Sequence, residues 1–300
     1  MSRILLSAYA CEPGKGSEPA VGWMWATELA ASWHEVWVIT REANRTSIEA
    51  EADHRHAENL HFVYCDLPRW ARAWKRLPGG TYLYYFLWQW LAFCAARKLL
   101  RFVHFDYVHH VTFVSLRAPS FMGWLGIPFI LGPVSGGESV PTALRRGMSW
   151  PARAVEWLRD CANGLVRFDP LMRRVFRKAE RIYVTSRDTL NLIPTRYHHK
   201  CQIQLAIGLT RGQLAFSPRQ RVRSGTSLRC LCVGRILEWK GMVIALLAMQ
   251  CLNRQREPAH LTLIGDGPAR ARLQRKAAQL GIAANLTWIP WLPHTEVQRR

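Results

Sequence analysis

The sequence predicts an α/β protein with parallel sheets in two domains, on three observations. Short apolar runs alternate with stretches of helical period, the pattern of strands covered by helices on both faces. Glycine-bearing loops close several of these runs, where open α/β sheets bind ligands. The length of 300 residues, 49% of them hydrophobic, provides core for two domains.

Ile4–Ala10 is the first strand, Ala20–Ala31 the first helix, and Cys11-Glu12-Pro13-Gly14-Lys15-Gly16-Ser17-Glu18-Pro19 the turn between them. A dinucleotide fingerprint would need glycine where Pro19 stands, and Glu12 and Glu18 would repel a pyrophosphate. Such a turn suits sugar hydroxyls or an amine. Val36–Thr40 and Leu60–Tyr64 continue the sheet, and residues 68–80 form a basic, aromatic loop. The run Tyr82–Ala96, interrupted only by Gln89, is shorter than the roughly 20 residues of a membrane span. It reads as a buried helix, or as one lying in a membrane interface with Trp88 and Trp90 at headgroup depth.

Tyr107–Val111 is the next strand, and its alternation sends His109 and His110 to opposite faces, so one of them can meet a cleft. Ile127–Leu131 is closed by Gly132-Pro133-Val134-Ser135-Gly136-Gly137-Glu138, small residues that let backbone approach a ligand, with a carboxylate at the far end. Arg181–Ser186 ends the first sheet, Gln202–Ile207 leaves it, and residues 217–227 are a polar linker.

The strand Leu228–Val233 then leads into Gly234-Arg235-Ile236-Leu237-Glu238-Trp239-Lys240-Gly241 and the helix Met242–Leu252. A helix start after a glycine-bracketed loop offers free N–H groups and a positive dipole end. Arg235 can grip two oxygens and Lys240 adds a point charge, which together fit a diphosphate. The order of residues excludes a Walker A loop. His260–Ile264 is followed by Gly265-Asp266-Gly267-Pro268, where Asp266 is expected to cap the helix Ala269–Leu280. Asn285–Ile289 is the last strand, with Trp291 beyond it.

Charge bears on partners. The formal net charge is +20, of which residues 228–300 carry +7 and residues 1–227 carry +13. An excess spread over both parts suits a protein that works against an anionic surface. No zinc-finger spacing or RNP-type motif is present, so specific nucleic-acid binding is not expected. Arginines beside Trp150 and Trp157 within residues 145–181 are what a lipid headgroup layer attracts. The eight cysteines include no CxxC pair, so no metal or disulfide framework is implied. One Arg and an apolar run ending at Cys11 make a thin export signal, and the expected location is cytoplasmic, peripheral at the inner membrane face.

Four of these loops resemble those of GT-B glycosyltransferases of family 4, which act with retention of anomeric configuration. Gly234-Arg235 with Lys240-Gly241 is similar to the loop that opens the family's donor domain. The run Tyr9–Pro19, continuing to Gly22-Trp23, resembles the first loop of one subgroup. Gly132–Glu138 resembles that subgroup's Gly-Pro-x-Gly-Gly-Gly-Glu loop, with Ser135 for the first of three glycines, and Gly265–Pro268 resembles the second donor-domain turn. Ala206-Ile207-Gly208-Leu209 with Phe216-Ser217-Pro218 looks like a degenerate form of the family's hinge, with Ala206 for the usual Asn.

The resemblance implies a GT-B fold: an acceptor-side Rossmann-like domain over 1–212, a linker over 213–227 and a partial nucleotide-sugar domain over 228–300. The implied reaction moves a hexosyl group from a nucleotide-diphosphate sugar to a hydroxyl acceptor, with a lipid-linked glycan compatible with the basic, aromatic surface. Gly234, Arg235, Lys240 and Gly241 would hold the diphosphate without a metal or other cofactor. Gly265, Asp266, Gly267 and Trp291 would lie on the nucleotide side. Glu12, Gly14, Gly16, Glu18, Gly136 and Gly137 would form the acceptor side. His109, His110 and Glu138 are the catalytic candidates, with His109 preferred to His110 for contact with the transferring sugar. The family's Glu-x7-Glu element would fall beyond Arg300, so an inactive fragment is an expected outcome. A non-catalytic basic protein that binds anionic membrane or nucleic acid is the alternative, and an inverting GT-B enzyme related to epimerases is disfavoured by the Arg…Lys-Gly loop.

Overall fold

The computed structural model describes residues 1–52, 58–77, 79–208, 227–293 and 296–297. The expected hinge at Phe216-Ser217-Pro218 and residues 213–226 of the expected linker lie outside the described residues. Chain contacts divide the molecule into two units.

The first unit comprises Met1–Ser139 and Arg159–Gly208. Its strands are β1 (Arg3–Ala8), β2 (Glu35–Thr40), β3 (Leu60–Tyr64), β4 (Tyr107–Thr112), β5 (Phe129–Val134), β6 (Arg181–Val184) and β7 (Cys201–Ile203). They form one parallel sheet in the order β3-β2-β1-β4-β5-β6-β7. The order reverses between β1 and β4, the kind of place where open α/β sheets bind ligands at the C-terminal ends of their strands. Sequence reading took residues 202–207 as a segment leaving the sheet; Cys201–Ile203 instead pairs with β6 as its edge strand.

Helices α1 (Glu18–Ala31), α2 (Arg45–Ala52) and α3 (Gly80–Leu99) alternate with the first strands. Alternate residues of β1 enter opposite cores. Leu5 packs with Ile39, Trp88 and Val108, whereas Leu6 and Ala8 pack with Ala26, Val36 and Ile48. Burial on both faces is why these strands read as continuous apolar runs. Helix α3 resolves the two readings of Tyr82–Ala96. Trp88 is wholly buried with Tyr84 and Tyr85, so it does not sit at headgroup depth, while Trp90 is 55% exposed. Tyr82, Phe86 and Trp90, spaced by one helical turn, are exposed on the opposite face. Among the described residues, no helix is long and apolar enough to cross a membrane.

Further along lie α4 (Thr142–Arg145), α5 (Trp150–Leu165), α6 (Pro170–Lys178) and α7 (Arg187–Leu192). Asp169 caps α6, accepting from the Leu171 and Met172 N–H groups, and Ser186 caps α7.

The second unit takes Val140–Leu158 together with the described residues from 227 onward. The sequence assigned 140–158 to the first domain. The structure ties it to the second through polar side chains that sequence pattern does not mark. Strands β8 (Leu228–Val233), β9 (Ala259–Ile264) and β10 (Leu286–Ile289) form a parallel sheet in the order β10-β9-β8. Helices α8 (Met242–Arg254) and α9 (Arg270–Gln279) cover one face, burying Met242, Leu246, Leu261, Leu263 and Leu273.

Candidate functional site

The two units each carry their loops at the C-terminal ends of parallel strands. In the first, the turn after β1 is anchored inward. Glu12 is buried, its Oε1 pairing with Lys15 Nζ at 2.7 Å and accepting from Ser47 Oγ at 3.2 Å. Glu12 is thus turned inward, away from the turn's exposed surface. Gly14 and Gly16 are exposed, with nothing within 4 Å of a Cβ at either. Gly22 of α1 is different, because its Cβ would lie 2.0 Å from the Ala10 carbonyl oxygen.

Glu18 links the loops that leave β1 and β4. Its Oε2 accepts from the Phe113 N–H at 2.9 Å. Burial raises the Glu18 pKa and that N–H partly opposes the rise. Phe113 and Ser17 both hold positive φ, 57° and 62°, a conformation that costs free energy for a side-chain-bearing residue. Sequence gave no signal of either.

His109 and His110 are both interior, 2% and 1% exposed. His109 Nε2 meets the Gly132 carbonyl oxygen at 2.8 Å and its ring stands edge-on to Trp25. His110 lies against Ser7 Oγ (3.0 Å), the Tyr85 hydroxyl (2.9 Å) and Gln89 Nε2 (3.2 Å). Burial lowers the His109 pKa to about 4, against the opposing pull of the Gly132 carbonyl. Burial and then His109 itself lower that of His110 to about 3. Both rings are held inside the fold, where they brace β4 against β5, β1 and α3.

Glu138 is also engaged. Its Oε1 accepts from Thr185 Oγ1 (2.9 Å), Ser186 Oγ (2.8 Å) and Thr189 Oγ1 (3.1 Å), and Oε2 from the Gly136 N–H (2.9 Å). Burial would raise its pKa, but its own backbone N–H, Ser186, Thr185 and Gly136 outweigh that and hold it below the usual carboxylate range. A carboxylate with four donors fixes the 135–138 loop to the start of α7, and the residue itself is exposed at that edge. Gly137 must be glycine, since its Cβ would lie 2.5 Å from Thr189 Cα. Gly136, at φ 97°, passes its carbonyl to Asn163 Nδ2 at 2.9 Å. Ser135 bridges to Ser115 after β4, so the loops leaving β1, β4, β5 and β6 form one continuous edge.

In the second unit the two glycine loops are a single packed feature. The Gly234 N–H donates to Ile264 (2.9 Å) and the Ile236 N–H to Asp266 (2.9 Å). A Cβ on Gly265 would lie 2.0 Å from the Gly234 carbonyl oxygen, and one on Gly267 2.3 Å from that of Ile236. Gly241, at φ 70°, starts α8, and no side chain caps that helix. Its first N–H groups are thus left for a ligand or water. Arg235 is exposed and has no ion-pair or hydrogen-bond partner among the described residues. Lys240 is exposed too, with Nζ 4.7 Å from the centre of the Trp239 ring.

Asp266 departs from expectation. Helix α9 begins after Ala269 without a side-chain cap, and Asp266 Oδ1 instead accepts from the adjacent Gly267 N–H at 2.8 Å. Trp291 is 74% exposed. A cavity of about 680 Å³ in this unit is lined by Leu144, Met148, Glu238, Met242, Arg272 and Lys276 among others, and not by Arg235 or Lys240. Glu238, one of its lining residues, ties two segments of the unit together, a role no sequence pattern marks. Glu238 Oε2 accepts from the Ser149 N–H (2.6 Å) and pairs with Arg272 Nη1 (2.8 Å), while Arg272 Nη2 donates to the Gly147 carbonyl (2.7 Å).

The structure of WaaG, a glycosyltransferase involved in lipopolysaccharide biosynthesis, aligns over 98% of this chain and 71% of its own, with TM-score 0.53 and 14% identity. The fold is GT-B. A glycosyltransferase from Rickettsia africae aligns over 97% of this chain and 68% of its own (TM-score 0.56, 11% identity). A GT-B structure described as trehalose-6-phosphate from E. coli, bound with UDP-2-fluoro glucose, aligns over 97% and 74% (TM-score 0.52, 12% identity). At these identities the likeness speaks for the GT-B architecture alone. Residues 216–299 match the family described as Glycosyl transferases group 1, which covers both glycine loops of the second unit. No curated protein matches the chain. Together these findings support the GT-B glycosyltransferase superfamily and a transferase.

Proposed function

We propose that this chain is a retaining glycosyltransferase that takes a hexosyl group from a nucleotide-diphosphate sugar and passes it to a hydroxyl acceptor. The observation that carries the reading is the Gly234–Gly241 loop. It lies within the glycosyl transferases group 1 match, runs from a parallel strand to an uncapped helix, and presents two exposed cations.

The departing diphosphate carries the developing charge. Arg235, Lys240 and the α8 N–H groups stabilise it, and stabilisation that grows along the reaction is what lowers a barrier. That charge is met without a cofactor, and EDTA is expected to leave turnover unchanged. The leaving phosphate assists deprotonation of the incoming hydroxyl, and no protein nucleophile takes part. Gly265 and Gly267 hold the loop, with Asp266 and Trp291 on the nucleotide side. Glu18, Gly136 and Gly137 shape the acceptor edge of the first sheet.

The test is calorimetric titration with UDP, followed by assay of transfer from UDP-hexoses. Arg235→Ala with Lys240→Ala is expected to weaken UDP binding by at least tenfold for each lost charge-assisted contact of about 1.5–3 kcal/mol. Unchanged UDP affinity in that variant overturns the reading. Salt-sensitive binding to anionic polymers, without any stabilisation by UDP, would favour the non-catalytic alternative. The anomer of the product decides retention.

A further inference from the structure

Three cations meet at the C-terminal ends of β1, β2 and β3 in the first unit. Arg41, just after β2, donates from Nε to the Tyr9 carbonyl at 2.9 Å and from Nη2 to Asn44 Oδ1 at 3.2 Å. Its guanidinium lies 4.4 Å from the centre of the Tyr9 ring. Lys75, from the 3-10 segment Arg69–Arg76, places Nζ 3.8 Å from the centre of the Tyr84 ring and 5.7 Å from that of Tyr9. Arg72 of the same segment is the third.

Two carboxylates stand near them, and both are occupied: Glu42, close to Arg72, pairs with Arg45 at 2.6 Å. Asp66, whose side chain is only 6% exposed, accepts from the Tyr84 hydroxyl and the Leu67 N–H, with Arg72 Nη2 at 3.8 Å from Oδ2. Among the described residues, neither Arg41 nor Lys75 has an ion-pair partner. Arg41 Nη1 and Lys75 Nζ make no hydrogen bond there either. Both side chains are half-buried. Like charges gathered on low-dielectric aromatic faces raise the free energy of the site until an anion joins them. Burial first, and then Arg41, lowers the Lys75 pKa, with Asp66 pulling the other way. The cluster adjoins the loops that leave β1 and β4, because the Tyr9 ring meets the Phe113 ring at 5.4 Å and Phe113 is held by Glu18.

We propose that Arg41, Lys75 and Arg72 form a binding site for an oxyanion, the phosphate or carboxylate of the molecule that accepts the sugar. This rests on the transferase reading for the word acceptor, and on geometry alone for the anion. Arg41 is already oriented by two hydrogen bonds and a ring face, so little ordering is lost when an oxygen pair docks on it. Lys75 supplies a point charge from the side. The rings beneath exclude water and strengthen both contacts.

The experiment labels the lysines of the full chain by reductive ¹³C-methylation, which keeps their charge, and assigns the Lys75 signal with Lys75→Arg. Inorganic phosphate is then titrated against chloride at matched ionic strength. The expected result is a saturable shift of the Lys75 signal with phosphate only, retained in the Arg235→Ala, Lys240→Ala chain and weakened about tenfold by Arg41→Gln. If Arg41→Gln does not fold, the titration of the unsubstituted chain decides. Glucose 6-phosphate and dihexanoyl phosphatidic acid, run in parallel, separate a soluble phosphate ester from a lipid headgroup by which acts at lower concentration. A Lys75 signal that follows ionic strength alone overturns the proposal. Failure of the unsubstituted chain to bind UDP would sink the transferase reading and leave this result standing, so the two failures are distinct.

Discussion

A methyl group at residue 265 has no room. Its carbon would sit 2.0 Å from the Gly234 carbonyl oxygen, and the backbone φ of 142° is one that side chains rarely adopt. Gly265→Ala is therefore expected to cost the second unit about 2–4 kcal/mol, combining backbone strain with overpacking. Differential scanning calorimetry would show the second unit's transition moved down and the first unit's unmoved. Gly16→Ala, with nothing within 4 Å, should change stability by no more than about 0.5 kcal/mol. The sequence offers the same letter at both places; what separates them is a backbone 31 residues away in the chain at one and open space at the other. His109 and His110 make a second residue-scale case. Both are neutral in the fold, with pKa values of about 4 and about 3, below the unfolded value near 6.5. A depressed histidine contributes stability that is whole above the unfolded pKa, and the unfolded chain binds protons first as pH falls. Stability is thus expected to drop between about pH 6.5 and pH 4, by an amount of the order of 3 kcal/mol for His109 alone. Urea midpoints at a series of pH values check this, and His109→Gln should flatten the slope if it folds.

At the scale of elements, the apolar runs were enough to place nine strands within two or three residues, because all but the edge strand β8 bury side chains in a core. Residues 201–203 escaped, since an edge strand of three residues carries no such pattern. The glycine loops were legible as loops, whereas their purpose was not: Gly137, Gly265 and Gly267 serve close packing of backbone, which only the fold reveals. The inward turn of Glu12, and the hydroxyls that hold the exposed Glu138, were equally hidden, because a carboxylate beside glycines looks the same whether it meets ligand or hydroxyls. Most hidden of all was the tie between residues 147–149 and Glu238 with Arg272, whose members lie far apart in the chain. That tie is expected to be broken by Glu238→Gln, which removes the charge that Arg272 and the Ser149 N–H share. Hydrogen exchange at the Ser149 amide should accelerate by about tenfold, the size of a lost charge-assisted hydrogen bond. Burial raises the Glu238 pKa, yet the hydrogen bonds from Ser149 and the Arg272 charge prevail and leave it lowered. The wild-type tie is therefore whole above the unfolded carboxylate pKa near 4.3 and is lost as pH falls through the folded one. An amide that exchanges equally fast in both proteins at pH 7 would remove Glu238 from this role.

The charge of the molecule is a property of the whole chain. An excess of +20, divided as +13 and +7 between residues 1–227 and 228–300, raises the local concentration of anything anionic around both units. The exposed Tyr82, Phe86 and Trp90 of α3 add an aromatic row in the first unit, near enough in sequence to Arg97 and Lys98 for ring and cation to meet one surface together. Aromatic rings favour the headgroup layer and basic residues favour anionic lipids, at about 1 kcal/mol for each cation at the surface. Vesicles containing phosphatidylserine are therefore expected to sediment with the protein, and neutral phosphatidylcholine vesicles to leave it in solution. Raising the salt from about 0.1 M to about 1 M shortens the screening length from roughly 10 Å to roughly 3 Å, and should release most of the bound protein. Trp90→Ser should leave that salt dependence in place while lowering the residual high-salt binding, because the ring's share of the contact is not screened. Equal sedimentation with both kinds of vesicle, or with neither, removes the anionic membrane from the partners of this chain.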